Sequence, residues 1–185
     1  MDEEEREDYE VAKAAAEIAR KIQELADKDS FEYAAIIFRD ATGAIAYTPV
    51  VRGTASSVPN FYTDNPDVDW GSVLGVVHSH PSILFNETMP EFRLYPTPNG
   101  DWEFFVGVQT MIVDDLRASG YSEAAAQAQA DKLVQFIYGA TTDAHGNSIY
   151  RLFRYDSSDK ENQLTGDDQL NHAEEVSLTL GTCGG

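Results

Sequence analysis

Residues 73–81 have the sequence VLGVVHSHP, and this stretch decides the fold class. The run from Val73 to His78 is apolar up to the histidine, which is typical of a strand buried on both faces. Residues i and i+2 of a strand face the same side, so His78 and His80 project in parallel, with Cα atoms about 6.6 Å apart. Pro81 then ends the strand. The stretch therefore predicts a buried strand with two imidazoles that can share one cation, although His-x-His also occurs by chance.

The segments on either side of this strand alternate between helical and extended periodicity. Turn residues at 40–43 and 143–147 each lie between β-rich runs and indicate hairpins. The predicted elements are a helix over 9–26, a hairpin over 32–48, a loop over 49–72, the strand from residue 73, helices over 101–118 and 122–137, strands over 136–141 and 148–155, and a short strand over 176–180. This order predicts an α+β fold, a mixed sheet flanked by helices.

The net charge of −19 is concentrated at the two ends of the chain. Residues 1–10 hold seven acidic side chains against one basic, and residues 156–175 hold the same numbers, so these two segments carry −12 of the total. The predicted division is an acidic N-terminal segment over 1–8, a domain over 9–156 and an acidic, loosely ordered tail over 157–185. The middle of the chain has the charge balance of an ordinary domain.

Composition excludes several classes of protein. A hydrophobic content of 42% excludes wholesale disorder. The acidic balance argues against nucleic acid and against anionic membranes as partners. The single cysteine, Cys183, excludes an internal disulfide, a Cys-based zinc site and the zinc nucleoside deaminases. Without a signal peptide or an apolar run long enough to cross a membrane, the expected location is the cytoplasm.

Asp101 is the leading candidate for a third metal ligand. The context Asn99-Gly100-Asp101-Trp102 places its carboxylate at a helix start, after a loop that can fold back over the histidines. The same carboxylate could equally serve as an ordinary N-cap. Other carboxylates compete from the loops: Asp64, Asp67, Asp69, Glu87 and Glu91.

Glu32 is the candidate acid/base. It immediately precedes the apolar run 33–38, where a carboxylate could lie beside a metal-bound water. A solvated glutamate at the first position of a strand is the alternative.

These residues together resemble the JAB/MPN metalloprotease fold with its JAMM motif: a Glu before a strand, His-x-His-Pro on a later strand, and an Asp at the next helix. Residues 11–81 are more closely similar to a JAB-related domain of unknown function found at the C-termini of RHS-repeat polymorphic toxins. The matching stretches include the Ala-rich helix 12–26, residues 32–43 (EYAAIIFRDATG) and residues 75–80 (GVVHSH). The resemblance continues less closely to Tyr155.

The resemblance implies that His78, His80 and Asp101 bind Zn²⁺ and that Glu32 holds and deprotonates the zinc water. The chain departs from the motif at two places. Twenty residues, 81–100, separate the histidines from the aspartate, and the serine expected to stabilise the oxyanion is Pro98. Ser82 and Thr97 are the candidates to replace that serine.

The leading expectation is a zinc-dependent peptidase or isopeptidase that acts on a protein or peptide, as a toxin effector delivered by a specialised secretion system. The alternatives are a non-catalytic JAB-like domain that binds a basic protein, and an acidic immunity or inhibitor protein. The Cys183-Gly184-Gly185 end resembles the diglycine end of ubiquitin-like modifiers, which are JAMM substrates, but two glycines are a weak signal and a flexible end is the favoured explanation.

Overall fold

A computed structural model describes residues 2–55, 57, 68–82, 94, 96, 100–161 and 173–182. The helices are α1 (Glu3–Gln23), α2 (Asp101–Ala118), α3 (Glu123–Ala130) and α4 (Ser157–Glu161), with a 3₁₀ turn at Trp70–Ser72. The strands are β1 (Tyr33–Arg39), β2 (Ile45–Tyr47), β3 (Val51–Arg52), β4 (Val73–His80), β5 (Val134–Thr142), β6 (Ser148–Tyr155) and β7 (Glu174–Val176). The mixed α+β class is the one that the periodicity predicted.

The seven strands form one mixed sheet in the order β2-β1-β4-β5-β6-β7, and β3 pairs with β1. β4 lies between β1, to which it is antiparallel, and β5, to which it is parallel. All eight of its residues are buried. A strand with neighbours on both sides and helices over both faces must be apolar throughout, which explains the uninterrupted run that precedes His78.

Alternate residues of the sheet pack against different helices. Ala35 of β1 and Val77 of β4 contribute to a core shared with α1. Ile36 of β1 and Val76 of β4 contribute to a second core, shared with α2. Helices therefore cover both faces, and the side chains that follow Val76 at even positions of β4 project toward α2.

Helix α1 starts six residues earlier than predicted. The carboxylate of Asp2 caps the N–H of Glu5, and the Glu5 carboxylate accepts the N–H of Asp2, which completes a capping box. The acidic side chains of the first turn also interact favourably with the helix dipole. The acidic N-terminal residues therefore extend the helix, and Glu7 pairs with Arg39 of β1.

The predicted helix over 122–137 is correct at its start and wrong at its end. Ser122 caps the helix as expected, but α3 ends at Ala130 and β5 begins at Val134. Residues from Val134 onward pair with β4, where Gly75 is opposite Val134. An apolar run of this kind satisfies either periodicity, and pairing with the buried central strand decides the outcome.

The C-terminal segment contributes more to the fold than predicted. The last strand is β7, two residues earlier than the predicted strand, and it pairs with β6. Val176 is buried, and the guanidinium of Arg20 donates to the carbonyl oxygens of Leu178 (2.6 Å) and Leu180 (3.2 Å). Val176, Leu178 and Leu180 thus join the core that contains α1, while Cys183-Gly184-Gly185 lies outside the described residues. Among the described helices, none combines the length and apolar character needed to span a bilayer.

The core between the sheet and α2 can be tested with Phe105, which is completely buried. Phe105→Ala is expected to lower the free energy of unfolding by about 3–5 kcal/mol, because it removes a large side chain and leaves a cavity. Thr110→Ala, on the exposed side of the same helix, is expected to change it by less than about 0.5 kcal/mol. Urea denaturation of both variants measures the difference, and equal losses would contradict the described packing.

Candidate metal centre

The two histidines lie at the end of the central strand, on the face toward α2. His78 and His80 belong to the same face as Val76, since they are two and four residues further along β4. β4 is held there by its ladder with β5, in which His78 is opposite Ile137 and His80 is opposite Gly139. The backbone positions of both imidazoles are therefore fixed by the sheet and not by a loop.

Asp101 reaches the histidines from the first residue of α2. The N-cap of this helix is Gly100, and no side-chain cap hydrogen bond forms there. The carboxylate of Asp101 is therefore not the N-cap, which was the alternative that the sequence left open. The side chain is 13% exposed and directed at the imidazoles.

The three side chains converge on one point. The Nε2 atoms of His78 and His80 are 3.1 Å apart. The carboxylate oxygens of Asp101 lie 3.2 Å from Nε2 of His78 and 3.4 Å from Nε2 of His80. The histidine side chains are 1% and 4% exposed. This buried group could bind a metal ion.

The spacing of these ligand atoms fits a tetrahedral ion. Bonds of about 2.0–2.1 Å and tetrahedral angles place neighbouring ligand atoms about 3.3 Å apart. The observed separations of 3.1, 3.2 and 3.4 Å match this value. Two imidazole nitrogens and one carboxylate oxygen also form a ligand set that suits zinc and other first-row metals. The residues present therefore fit a cation in both geometry and chemistry.

Electrostatics at the site favour an ionised carboxylate. Burial by itself raises the pKa of Asp101, but the charge and the hydrogen bonds of His78 and His80 outweigh it and hold the pKa well below its usual value. The buried Nδ1 atom of His78 has no hydrogen-bond partner among the described residues, so the polar contacts of this ring are made through Nε2. A cation bound between these groups would likewise favour the ionised carboxylate.

Glu32 precedes β1 and interacts electrostatically with all three members of this group. Its N–H donates to the carbonyl of Thr54, and its carbonyl accepts the N–H of Gly53, each at 2.8 Å. The last pair of the β1–β4 register on this side is Ala34 with His78, so Glu32 lies two residues beyond the paired part of β1. Burial raises the pKa of the half-buried Glu32 carboxyl, the imidazoles lower it, and the charge of Asp101 raises it. The charges of the cluster therefore act on the Glu32 carboxyl.

The remaining candidates are not members of the His78, His80 and Asp101 group. The Ser82 hydroxyl donates to the carboxylate of Asp29 at 2.9 Å. Asp69 accepts the N–H of Gly71, in the turn that precedes β4, at the opposite end of the strand from His80. Five further candidates or competing residues lie outside the described residues: Thr97, Asp64, Asp67, Glu87 and Glu91.

Two residues near the site were not identified from the sequence. The Ser79 hydroxyl, buried within β4, accepts the N–H of Tyr33 at 2.9 Å. Asp29 accepts hydrogen bonds from Ser82 and from the Tyr150 hydroxyl, the latter at 2.7 Å. Asp29 lies in a polar turn that gives no periodic signal, and its partners are 53 and 121 residues away in the sequence. Only the folded sheet brings these residues together.

Comparison with known proteins finds no matching family model and no significantly similar curated protein. The resemblance to the JAB/MPN fold therefore rests on the residues themselves.

Metal binding is expected to require both histidines. His78→Ala or His80→Ala should weaken Zn²⁺ binding by more than about 100-fold, since loss of even an outer partner of a ligand typically costs 10–100-fold. His145→Ala is the matched control, because His145 lies in an exposed turn between β5 and β6. Zinc content after dialysis measures how much ion stays bound, and competition with a chromophoric chelator measures the affinity. Undiminished binding by either strand variant would contradict the assignment.

Bound metal is also expected to stabilise the fold, because the ligands converge only in the folded chain. Free Zn²⁺ at 100 times its Kd should add about 2.7 kcal/mol to the free energy of unfolding. This increase corresponds to a Tm higher by about 5–10 °C for a domain of this size. A chelator should reverse the increase, and His78→Ala should show none of it. Differential scanning calorimetry makes the measurement, and an equal increase in the variant would indicate binding elsewhere.

Proposed function

We propose that this protein is a zinc-dependent hydrolase of the JAB/JAMM type that cleaves peptide or isopeptide bonds. The observation that carries the proposal is the convergence of ligand atoms of His78, His80 and Asp101 within 3.4 Å of one another. The carboxyl of Glu32 interacts electrostatically with all three. Three protein ligands are the number typical of catalytic zinc sites, whereas structural sites use four. The order of these residues along the chain also agrees with the resemblance.

Zinc is the proposed ion because two imidazoles and one carboxylate are among its known catalytic ligand sets. His78, His80 and Asp101 would hold the ion, which when bound would supply Lewis-acid chemistry and lower the pKa of a water molecule.

Glu32 is proposed to act as the general base and then as the general acid. Its carboxylate accepts a proton from the attacking water and later donates it to the leaving amine. A carboxyl whose pKa is raised by burial is suited to both steps, because it accepts and holds a proton more firmly than a solvated carboxylate does. The backbone hydrogen bonds of Glu32 to residues 53 and 54 hold it at the start of β1 for this role.

The direct test of this role is Glu32→Gln. The variant should retain one equivalent of Zn²⁺, because Glu32 is not a ligand, and should lose hydrolysis by about 10²–10⁴-fold, the usual contribution of a positioned acid/base. Glu103→Gln, an exposed carboxylate on α2, is the control and should leave the rate unchanged. Cleavage of a peptide library and of isopeptide-linked conjugates, followed by mass spectrometry, provides the readout.

Three outcomes of this experiment decide the proposal. Zinc retention with loss of cleavage supports it. Zinc retention with unchanged cleavage would eliminate the role of Glu32. Stoichiometric zinc with no cleavage by the unmodified protein would favour the non-catalytic alternative.

A specific observation favours that alternative, which is binding of a basic protein. A groove of about 760 Å³ opens at the far end of β4 from the histidines and has five carboxylates against two basic side chains in its lining. The carboxylates belong to Glu3, Glu4, Glu7, Asp69 and Asp115. A partner bound there should be retained at low salt and released at high salt, since salt screens exposed charges, and Glu32→Gln should bind it equally well.

A further inference from the structure

The ladder between β1 and β4 ends before it reaches His80, the second of the two histidines on β4. Its last pair on this side is Ala34 with His78, so His80 has ladder partners on β5 only. Beyond that pair, serine side chains provide the connection between the two segments. The buried hydroxyl of Ser79 accepts the N–H of Tyr33, the residue that follows Glu32.

A second connection is made at Asp29. One of its oxygens, Oδ1, accepts the hydroxyl of Ser82 at 2.9 Å and the hydroxyl of Tyr150 at 2.7 Å. The ring of Tyr150 is stacked on Tyr138 of β5, with centroids 5.4 Å apart. Asp29 therefore joins three parts of the chain: the connection between α1 and β1, the end of β4, and β6.

The spacing of these residues along the chain relates Asp29 to the metal centre. Asp29 precedes Glu32 by three residues, and Ser82 follows His80 by two. The Asp29–Ser82 hydrogen bond thus closes a short ring that contains both Glu32 and His80. Among the hydrogen bonds of the described residues, a second cross-link within this ring runs from Tyr33 to Ser79, and both links use side chains in place of ladder hydrogen bonds.

We propose that Asp29 is a positioning residue of the metal centre. Through its hydrogen bond with Ser82, Asp29 holds the Glu32 segment and the His80 end of β4 together. This inference rests on the proposed function, in which Glu32 acts beside the metal ligands. It assigns Ser82 to a different role from the one that the sequence suggested. Ser82 is here a link in the scaffold, with its hydroxyl committed to Asp29, and not the donor to an oxyanion.

Two substitutions separate the geometric role of Asp29 from its charge. Asp29→Ala removes the acceptor and should weaken Zn²⁺ binding by about tenfold, at the lower end of the range for residues outside the ligand set. Asp29→Asn removes the charge but keeps an Oδ1 acceptor for both hydroxyls, so it should restore most of the affinity. If the asparagine variant binds as weakly as the alanine variant, the effect is electrostatic and the proposal is overturned.

The role of Ser82 is tested with a double-mutant cycle. Ser82→Ala should weaken Zn²⁺ binding as Asp29→Ala does, and the double variant should be no weaker than Asp29→Ala alone, because both changes break the same link. Fully additive losses would show that the two residues act separately. Asp27→Ala is the matched control: Asp27 also accepts a tyrosine hydroxyl, that of Tyr33, and pairs with Arg52, but the described contacts of Asp27 do not include β4.

A metal-free measurement keeps this inference distinct from the proposed function. Without metal, amide hydrogen exchange at Tyr33 should be faster in Asp29→Ala and in Ser82→Ala than in the unmodified protein. If the unmodified protein fails to bind zinc but these exchange rates rise as expected, the proposed function fails and the link stands as a structural one only. Unchanged exchange together with unchanged zinc affinity in both variants would overturn the proposal.

Discussion

The interaction on which this site depends is the close approach of two imidazoles and a carboxylate at the buried end of β4. The Nε2 atoms of His78 and His80 are 3.1 Å apart, and the oxygens of Asp101 lie 3.2 and 3.4 Å from them. Polar groups taken out of water in this way require compensating charge and hydrogen bonds. One cation at their centre would satisfy all three groups, and the sheet and α2 hold them at distances that suit such an ion.

Features that depend on local periodicity could be predicted from the sequence. The uninterrupted apolar run 73–77 marks β4 as a central strand, and the two-residue period of a strand places His78 and His80 on one face. Asp101 was identified because it opens an apolar helical pattern after a loop, and Glu32 because it opens a strand. The mixed α+β class follows from the same patterns, whereas membership of the JAB/MPN fold stays a proposal.

Features that depend on long-range contacts could not be predicted. The change from α3 to β5 falls within an apolar run that suits either element, and pairing with β4 makes it a strand. The acidic N-terminal residues were predicted to precede the helix, yet the capping box of Asp2 and Glu5 makes them its first turns. The role of Asp29 depends on partners 53 and 121 residues away, and no local pattern reports such contacts.

Zinc K-edge X-ray absorption of the protein loaded with one equivalent of Zn²⁺ tests whether the ion binds at the end of β4, because it reports the ligands of the bound ion. We expect a four-coordinate ion with nitrogen and oxygen ligands at about 2.0–2.1 Å, including the multiple-scattering signal of two imidazoles. That signal should fall to one imidazole in His80→Ala. A six-coordinate shell of oxygen alone, or a spectrum that is identical in the variant, would contradict a metal centre at the end of β4.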